Sequence, residues 1–324
     1  MKKTIAVITG GAASELGISL KSAGVVYKHL DKEKYNVYKI IIKEKNWEVE
    51  GENTLIDKND FSFTKAGGKI NFDAVFVAIH GTPAEDGKLQ GYFELLKIPY
   101  NCCGVLQAAL TFDKNRTKEY LAAFGVLSPK SIVIDAIEKT DAKTTEIQQS
   151  LSLPLFVKPN KNGSSYGASK VEKMEDLENA IAEAFKYDDE ILVEEFISGR
   201  EVTCGCMTID GKAVPMPITE IKTKKSFFDY QAKYEGESQE ITPADISSEM
   251  TANIQNTVKN IYEKLDFKGM CRIDFIISNE KYYMLEVNSI PGLSEESIIP
   301  QQARCYGMDL TTLFGNSIEE CLKK

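Results

Sequence analysis

The sequence is poor in histidine and in long apolar runs. Only two histidines, His29 and His80, occur in 324 residues, and the cysteines form no C-x-x-C pair, so their spacing excludes a zinc site. No apolar run is long enough to cross a bilayer, and the run after Lys3 is too short for a signal peptide. Seven cysteines, an odd number, without a secretory signal favour reduced thiols and a cytoplasmic protein.

Basic charge is also in short supply. The formal net charge is −9, so we expect no nucleic-acid partner, and any anion must be met by locally placed lysines. The chain has no G-x-G-x-x-G motif, which disfavours a dinucleotide. The composition, with 43% hydrophobic and 27% charged residues, suits a globular protein of two or three domains. A small anionic ligand is still allowed, and we expect no membrane partner.

Strands and helices alternate along the first third of the chain. Apolar, β-branched runs at 4–9, 35–42 and 72–79 indicate strands, and apolar residues at helical spacing across 19–30 indicate a helix. This alternation predicts an α/β fold with a parallel sheet covered on both faces. Ligands of such sheets bind beyond the carboxyl ends of the strands.

We predict three units along the chain. Residues 1–104 form an N-terminal, Rossmann-like domain, residues 105–195 a central domain, and residues 196–324 a C-terminal domain of α+β character. A polar stretch with scattered aromatic residues at 217–243 shows no clear helix or strand periodicity, which is typical of a lid or a disordered loop.

The strongest chemical signal is a pair of apolar runs joined by turn-like residues at 278–281. Side chains alternate faces along a strand. Arg272 and Asp274 therefore share one face of the first run, and Glu286 and Asn288 share one face of the second.

The connection decides whether these two pairs meet. A two-residue turn would place Asp274 opposite Leu285, whereas a connection one residue longer places it opposite Glu286. The longer connection also pairs Arg272 with Asn288. We adopt it because it gathers the hard oxygen ligands that Mg²⁺ prefers. The competing interpretation is a solvated polar face of an ordinary hairpin.

A loop rich in glycine and serine at 159–167 follows an apolar strand that ends at Lys158. Glycines allow close approach to a ligand, and successive N–H groups together with hydroxyls can form an anion-binding nest. No Gly-Lys-Ser/Thr closes the loop, so it is not a P-loop. A flexible connection is the alternative, and Lys114, Lys158 and the pair Glu194-Glu195 could be ordinary surface charges.

Together these segments resemble the ATP-grasp superfamily and, within it, the D-alanine–D-alanine ligases, over essentially the whole chain. The shared motifs occur in order: Gly10-Gly11…Ser14-Glu15, His80-Gly81…Glu85-Asp86-Gly87, Val157-Lys158-Pro159…Gly163-Ser164-Ser165, Phe228-Asp229-Tyr230-Gln231-Ala232-Lys233-Tyr234, Arg272-Ile273-Asp274 and Glu286-Val287-Asn288…Gly292…Ser297. The resemblance implies a three-domain ATP-grasp architecture in which the nucleotide lies between the central and C-terminal domains.

The resemblance also implies a reaction. Such enzymes phosphorylate the carboxylate of one D-alanine with ATP, and the amine of a second D-alanine attacks the acyl phosphate to give D-alanyl-D-alanine for peptidoglycan precursors. The partners would be small molecules, D-alanine and ATP, and the protein a homodimer by analogy. The alternatives are a ligase that takes D-serine or D-lactate second, and a nucleotide-binding regulator without turnover.

The resemblance also implies roles for individual residues of the site. Two Mg²⁺ ions, with Mn²⁺ as a substitute, would be held by Asp274, Glu286 and Asn288. The nucleotide would be contacted by Lys114, Lys158, Ser164, Ser165, Glu194, Glu195, Ile197, Glu201 and Lys233. Catalysis would involve Glu15, His80, Ser164, Tyr234, Arg272 and Gly292. The two D-alanines would be bound by Glu15, Lys233 and Ser297. Glu295-Glu296 adds negative charge beside Ser297, which predicts repulsion of the second carboxylate.

Overall fold

The computed structural model describes most of the chain. The described residues are 2–11, 15–137, 140–163, 165–223 and 238–323. Ser164, Lys233 and Tyr234, to which roles were assigned above, lie outside these ranges, as does most of the proposed lid.

The N-terminal part has one strand, one helix, six successive strands and a further helix, so the predicted alternation holds only at its start. The described α-helices are α1 (Leu16–His29), α2 (Lys88–Leu96), α3 (Val105–Phe112), α4 (Lys114–Ala122), α5 (Thr140–Ser150), α6 (Leu177–Ala184), α7 (Ser248–Lys264), α8 (Ile298–Tyr306) and α9 (Leu310–Leu322). The described strands are β1 (Lys3–Gly10), β2 (Tyr35–Ile42), β3 (Trp47–Val49), β4 (Thr54–Leu55), β5 (Phe63–Lys65), β6 (Gly68–Ile70), β7 (Ala74–Val77), β8 (Ser131–Asp135), β9 (Leu155–Pro159), β10 (Ser169–Val171), β11 (Glu190–Glu195), β12 (Arg200–Ile209), β13 (Lys212–Pro215), β14 (Thr219–Thr223), β15 (Ser238–Ile241), β16 (Met270–Ser278) and β17 (Lys281–Asn288).

The N-terminal sheet has a parallel centre. β1 pairs in parallel with β2 and β7, and β3 and β4 extend one edge antiparallel. Successive residues of a strand point to opposite faces, and here Ile5 and Val7 join a core with α1, whereas Ala6 and Ile8 join a second core with α2. Both faces are therefore covered, which confirms the predicted α/β arrangement. The last helix, α9, returns to this sheet and packs Phe314 against Phe76.

Two antiparallel sheets follow. The central sheet has the order β10-β9-β11-β8, and the C-terminal sheet has the order β15-β14-β12-β16-β17 with β13 paired to β12. Helices α3 and α4 belong to the predicted central unit by position, yet they pack against β17 of the C-terminal sheet. Ala108 and Leu121 share a core with Val202 and Phe275. The hydrophobic cores thus do not follow the predicted boundary at residue 105.

None of the helices in the described part of the chain has both the length and the apolar character needed to cross a membrane.

Candidate active site

The hairpin of β16 and β17 has the predicted register. Asp274 lies opposite Glu286, and Arg272 lies opposite Asn288. Their side chains meet on one face, because Arg272 and Asn288 both donate hydrogen bonds to Asp274. The prediction that these four residues gather at one place is confirmed.

The cause of that register differs from the predicted one. The turn has only two residues, Asn279 and Glu280, both with positive φ, so the predicted longer connection is wrong. Instead, Phe275 pairs with Met284, and the register shifts by one residue just before Phe275, which leaves Leu285 as the extra residue of a β-bulge. Bulges re-aim side chains and are common beside active sites.

Asp274 is buried and fully hydrogen-bonded. Arg272 donates from Nε to Oδ1 at 2.9 Å and from Nη2 to Oδ2 at 2.8 Å, and Asn288 donates from Nδ2 to Oδ2 at 3.0 Å. Thr203 on β12 donates its hydroxyl to Oδ1 at 2.5 Å. Because the Asn288 amide nitrogen is engaged, its carbonyl oxygen is the atom suited to a cation.

Two cavities meet at Glu286. The larger, of about 600 Å³, lies between the central and C-terminal sheets, and the smaller, of about 270 Å³, lies at the N-terminal sheet. The larger is lined by every described residue predicted to contact the nucleotide: Lys114, Lys158, Ser165, Glu194, Glu195, Ile197 and Glu201. The smaller is lined by the described residues predicted for catalysis and substrate: Glu15, His80, Arg272, Gly292 and Ser297. The structure therefore brings these residues together.

Lysines are concentrated at the larger cavity. The Lys114 ammonium lies 3.4 Å from a Glu286 carboxylate oxygen, and Lys158 lies 2.9 Å from Glu194. Lys118 was not predicted from the sequence; its ammonium forms an ion pair with the other oxygen of Glu194 in the interior. Lys118 lies four residues after Lys114 on α4, and this spacing places both on one helix face. The buried Glu194 thus balances the charge of two lysines.

Glycines make room for the Glu15 carboxylate. A Cβ atom on Gly163 would lie 2.6 Å from Glu15 Oε1, and a Cβ on Gly81 would also collide with this carboxylate. Glu15 is 7% exposed and comes from the N-terminal domain, whereas Gly163 belongs to the central loop. The glycine in that loop therefore leaves space for the Glu15 carboxylate, which a larger residue would displace.

His80 holds the loop that contains Gly292. Its Nδ1 lies 2.9 Å from the Ile290 carbonyl oxygen, which can only accept, so Nδ1 carries the proton and Nε2 accepts from the Ser22 hydroxyl at 3.0 Å. Ser22 in turn accepts from the Leu293 N–H at 3.2 Å. Burial lowers the pKa of His80 to about 4. Both ring nitrogens of the neutral imidazole are thus engaged in positioning the loop.

Acidic groups dominate the smaller cavity. Among its described lining residues Arg272 is the sole lysine or arginine, whereas the carboxylates are Glu15, Glu85, Glu240, Glu286 and Glu296. Burial, followed by the charge of Glu15, raises the pKa of Glu85. Such a cavity favours cationic groups, namely an ammonium or a metal ion.

The charge predicted to disturb Ser297 is partly neutralised. Glu295 forms a 2.6 Å ion pair with Lys28 on α1 and does not line the cavity among the residues described there. Glu296 does line it. Ser297 Oγ lies 2.7 Å from Ser294 Oγ at the start of α8.

The oxygen donors fit a hard divalent cation. Within the described ranges there is no group of three or more His, Cys, Asp and Glu side chains that could hold a metal, since the third oxygen here belongs to the Asn288 amide. Two carboxylates and an amide oxygen on adjacent strands are ligands of the kind that Mg²⁺ and Ca²⁺ take, with positions left for water and phosphate.

A lysine-lined cavity between two antiparallel sheets, open to an acidic cavity beside a parallel sheet, defines a three-domain enzyme of the ATP-grasp class. The model of the D-ala D-ala ligase N-terminus matches residues 4–103, and that of the D-ala D-ala ligase C-terminus matches residues 121–319. The chain belongs to the D-alanine–D-alanine ligase family of ATP-dependent ligases.

Individual relatives match this chain along its full length. The chain is 49% identical to a D-alanine–D-alanine ligase of Flavobacterium johnsoniae, with 98% of each chain covered. Among solved structures, it is similar to the VanG D-Ala:D-Ser ligase of Enterococcus faecalis, with a TM-score of 0.87, 32% identity, and 98% and 99% coverage of the two chains. D-alanyl-alanine synthetase A of Vibrio cholerae gives a TM-score of 0.88 at 26% identity, with 100% and 99% covered.

Proposed function

We propose that this protein joins two D-alanine molecules into D-alanyl-D-alanine through an acyl phosphate, using ATP. The observation that carries the proposal is the meeting of the two cavities at Glu286, beside Asp274, Asn288 and Arg272. A γ-phosphate in the larger cavity and a carboxylate in the smaller one would face each other there. Phosphoryl transfer depends mainly on positioning and charge neutralisation, and both are available at this junction.

The nucleotide would occupy the larger cavity. Lys114 and Lys158 supply positive charge for the phosphates. Ser165, together with Ser164 and Lys233 outside the described residues, is assigned there by family resemblance. Residues 194–197 would border the adenine, and Glu201 would reach the ribose. Lys118 takes no direct part, because it is buried beneath Glu194.

Asp274, Glu286 and Asn288 would hold the metal, which we propose to be two Mg²⁺ ions with Mn²⁺ as a substitute. A divalent ion at this site neutralises phosphate charge and helps to orient the phosphate oxygens. Arg272 balances Asp274 in the present structure. Once Asp274 has another counter-charge, Arg272 is available to donate to the oxyanion that forms during amine attack.

The two D-alanines would bind in the smaller cavity. Glu15, seated between Gly81 and Gly163, would receive the ammonium of the first. Ser297 would receive the carboxylate of the second, and the Gly292 N–H would donate to the oxyanion, with the loop held by His80. Tyr234, outside the described residues, is assigned to catalysis by family resemblance.

D-Serine and D-lactate are the alternative second substrates. Glu240 and Glu296 line the smaller cavity, and their negative charge favours an acceptor that carries an ammonium group over the D-lactate anion. D-Alanine and D-serine both satisfy this requirement. A cytoplasmic location and a homodimer are proposed by analogy with the family alone.

The test is phosphate release from ATP and Mg²⁺ with D-alanine, D-serine, D-lactate or L-alanine supplied singly. We expect release with D-alanine and formation of the dipeptide, detected by mass spectrometry. Mixtures of D-alanine with D-serine or D-lactate then rank the second substrates by the mixed products. A protein that binds ATP but releases no phosphate with any D-amino acid would be the regulator instead.

A further inference from the structure

We infer that Thr203 is a positioning residue that holds Asp274 in the orientation needed to bind the divalent metal. The inference rests on the proposed function only in taking Asp274 as a metal ligand. No role was assigned to Thr203 by the sequence, because a single threonine in an apolar strand is ordinary core composition.

Thr203 faces Asp274 directly across the sheet. The two residues are register partners on β12 and β16, and the Thr203 side chain is completely buried. Its hydroxyl lies 2.5 Å from Asp274 Oδ1 and 3.3 Å from the Ile273 carbonyl oxygen. A hydroxyl has one proton to donate, and the shorter contact indicates that the carboxylate receives it.

Thr203 differs from the other donors to Asp274. Arg272 and Asn288 both line the smaller cavity, so their contacts with Asp274 can change as substrate and metal bind. Thr203 is not among the described residues that line either cavity. Its hydrogen bond can therefore persist while the cavity-side partners of Asp274 change.

A buried glutamine fixes the backbone around Thr203. Gln302 donates from Nε2 to the Thr203 carbonyl and to the Thr219 hydroxyl, both at 3.0 Å, and its Oε1 accepts from the Gly205 N–H at 2.9 Å. Gln302 lies on α8, the helix that begins directly after Ser297. The strand that orients Asp274 is thus bonded to the helix that follows the proposed second-substrate residue.

The expected consequence is a change in metal affinity. Partners that orient a metal ligand commonly contribute about 10- to 100-fold to metal affinity or activity. Thr203→Val removes the hydroxyl and keeps the branched shape, whereas Thr203→Ser keeps the hydroxyl. Thr208→Val is the matched control, because Thr208 lies on the same strand with its hydroxyl 2.7 Å from the Tyr262 hydroxyl, away from Asp274.

The experiment measures ADP binding by calorimetry, in EDTA and across a Mg²⁺ titration, alongside the Mg²⁺ dependence of phosphate release. For Thr203→Val we expect the Mg²⁺ concentration at half-effect to rise about 10- to 100-fold in both assays, with ADP affinity in EDTA unchanged. Thr203→Ser should restore the wild-type value to within about threefold, and Thr208→Val should match the wild type.

A Thr203→Val protein with wild-type Mg²⁺ dependence would overturn the inference, as would a Thr203→Ser protein as impaired as the valine variant. If Thr203→Val does not fold, Thr203→Ala is compared with Thr203→Ser in the same way. ADP binding tests Thr203 whether or not D-alanine stimulates phosphate release, so failure of the proposed function would be recognised separately.

Discussion

The two cavities of this protein differ in their basic groups, although they share one wall. Among the described residues, five basic and six acidic side chains line the larger cavity, whereas Arg272 and five acidic side chains line the smaller one. ATP is a polyanion, and D-alanine enters as a zwitterion whose ammonium must be held. The basic side chains are thus concentrated where the nucleotide is proposed to bind, inside a chain whose net charge is −9.

Glu286 lies where the two cavities meet. It lines both cavities and has the Lys114 ammonium 3.4 Å away. A carboxylate at such a boundary would repel phosphate unless a cation stands between them. A metal held by Glu286 at this point, as proposed, would remove that repulsion.

The largest expected effect comes from removing that boundary charge. Glu286→Gln keeps the size of the side chain but removes a metal ligand, and we expect phosphate release to fall by about 1000-fold or more, since metal stabilisation of transition-state charge is worth several kcal/mol. Glu280→Gln, in the exposed turn of the same hairpin, is the control. Near-normal turnover of Glu286→Gln, with an unchanged melting temperature in both variants, would refute the metal assignment.

The hairpin of β16 and β17 shows which structural features could be predicted from the sequence and which could not. Strand parity correctly placed Arg272 with Asp274 and Glu286 with Asn288, because side-chain alternation is a local property. The bulge at Leu285 could not be predicted, since a bulge depends on the pairing of two strands and Leu285 differs little from its apolar neighbours. The correct register was chosen from the chemistry of the ligands, and the wrong turn was assigned to explain it.

Other omissions have similar causes. Strands β3 to β6 are only two or three residues long, too short for a periodic signal. Helices α3 and α4 pack on β17, which lies far along the chain, so no local pattern reveals their partner. Lys118 could have been found from its spacing after Lys114, but a lysine on a helix is far more often solvated than buried.

The second-largest loss of activity is expected from displacing the Glu15 carboxylate in the smaller cavity. Gly163→Ala would place a methyl group 2.6 Å from Glu15 Oε1 and push the carboxylate away from the first ammonium. Displacement of about 1 Å in an active site can reduce activity about 100-fold, and we expect this loss in kcat/KM for D-alanine with little change in ADP affinity. Gly17→Ala, where an added Cβ meets nothing within 4 Å, should behave as wild type. Equal losses of D-alanine and nucleotide binding in Gly163→Ala would show that the two cavities are not separable at this loop.

The smallest effect concerns His80, which stays neutral because burial lowers its pKa by more than the hydrogen bond to the Ile290 carbonyl raises it. Its pKa is lowered from 6.5 to about 4, so the unfolded chain binds the proton more tightly and unfolding becomes easier as the pH falls from about 6.5 towards 4. This difference corresponds to about 3 kcal/mol of stability that is present at neutral pH and lost in acid. We expect the free energy of unfolding, measured by urea denaturation at pH 7.5 and 4.5, to decrease by about 2 kcal/mol more in the wild type than in His80→Gln. Equal decreases would mean that His80 takes up its proton as readily in the folded protein as in the unfolded chain, and would refute the lowered pKa.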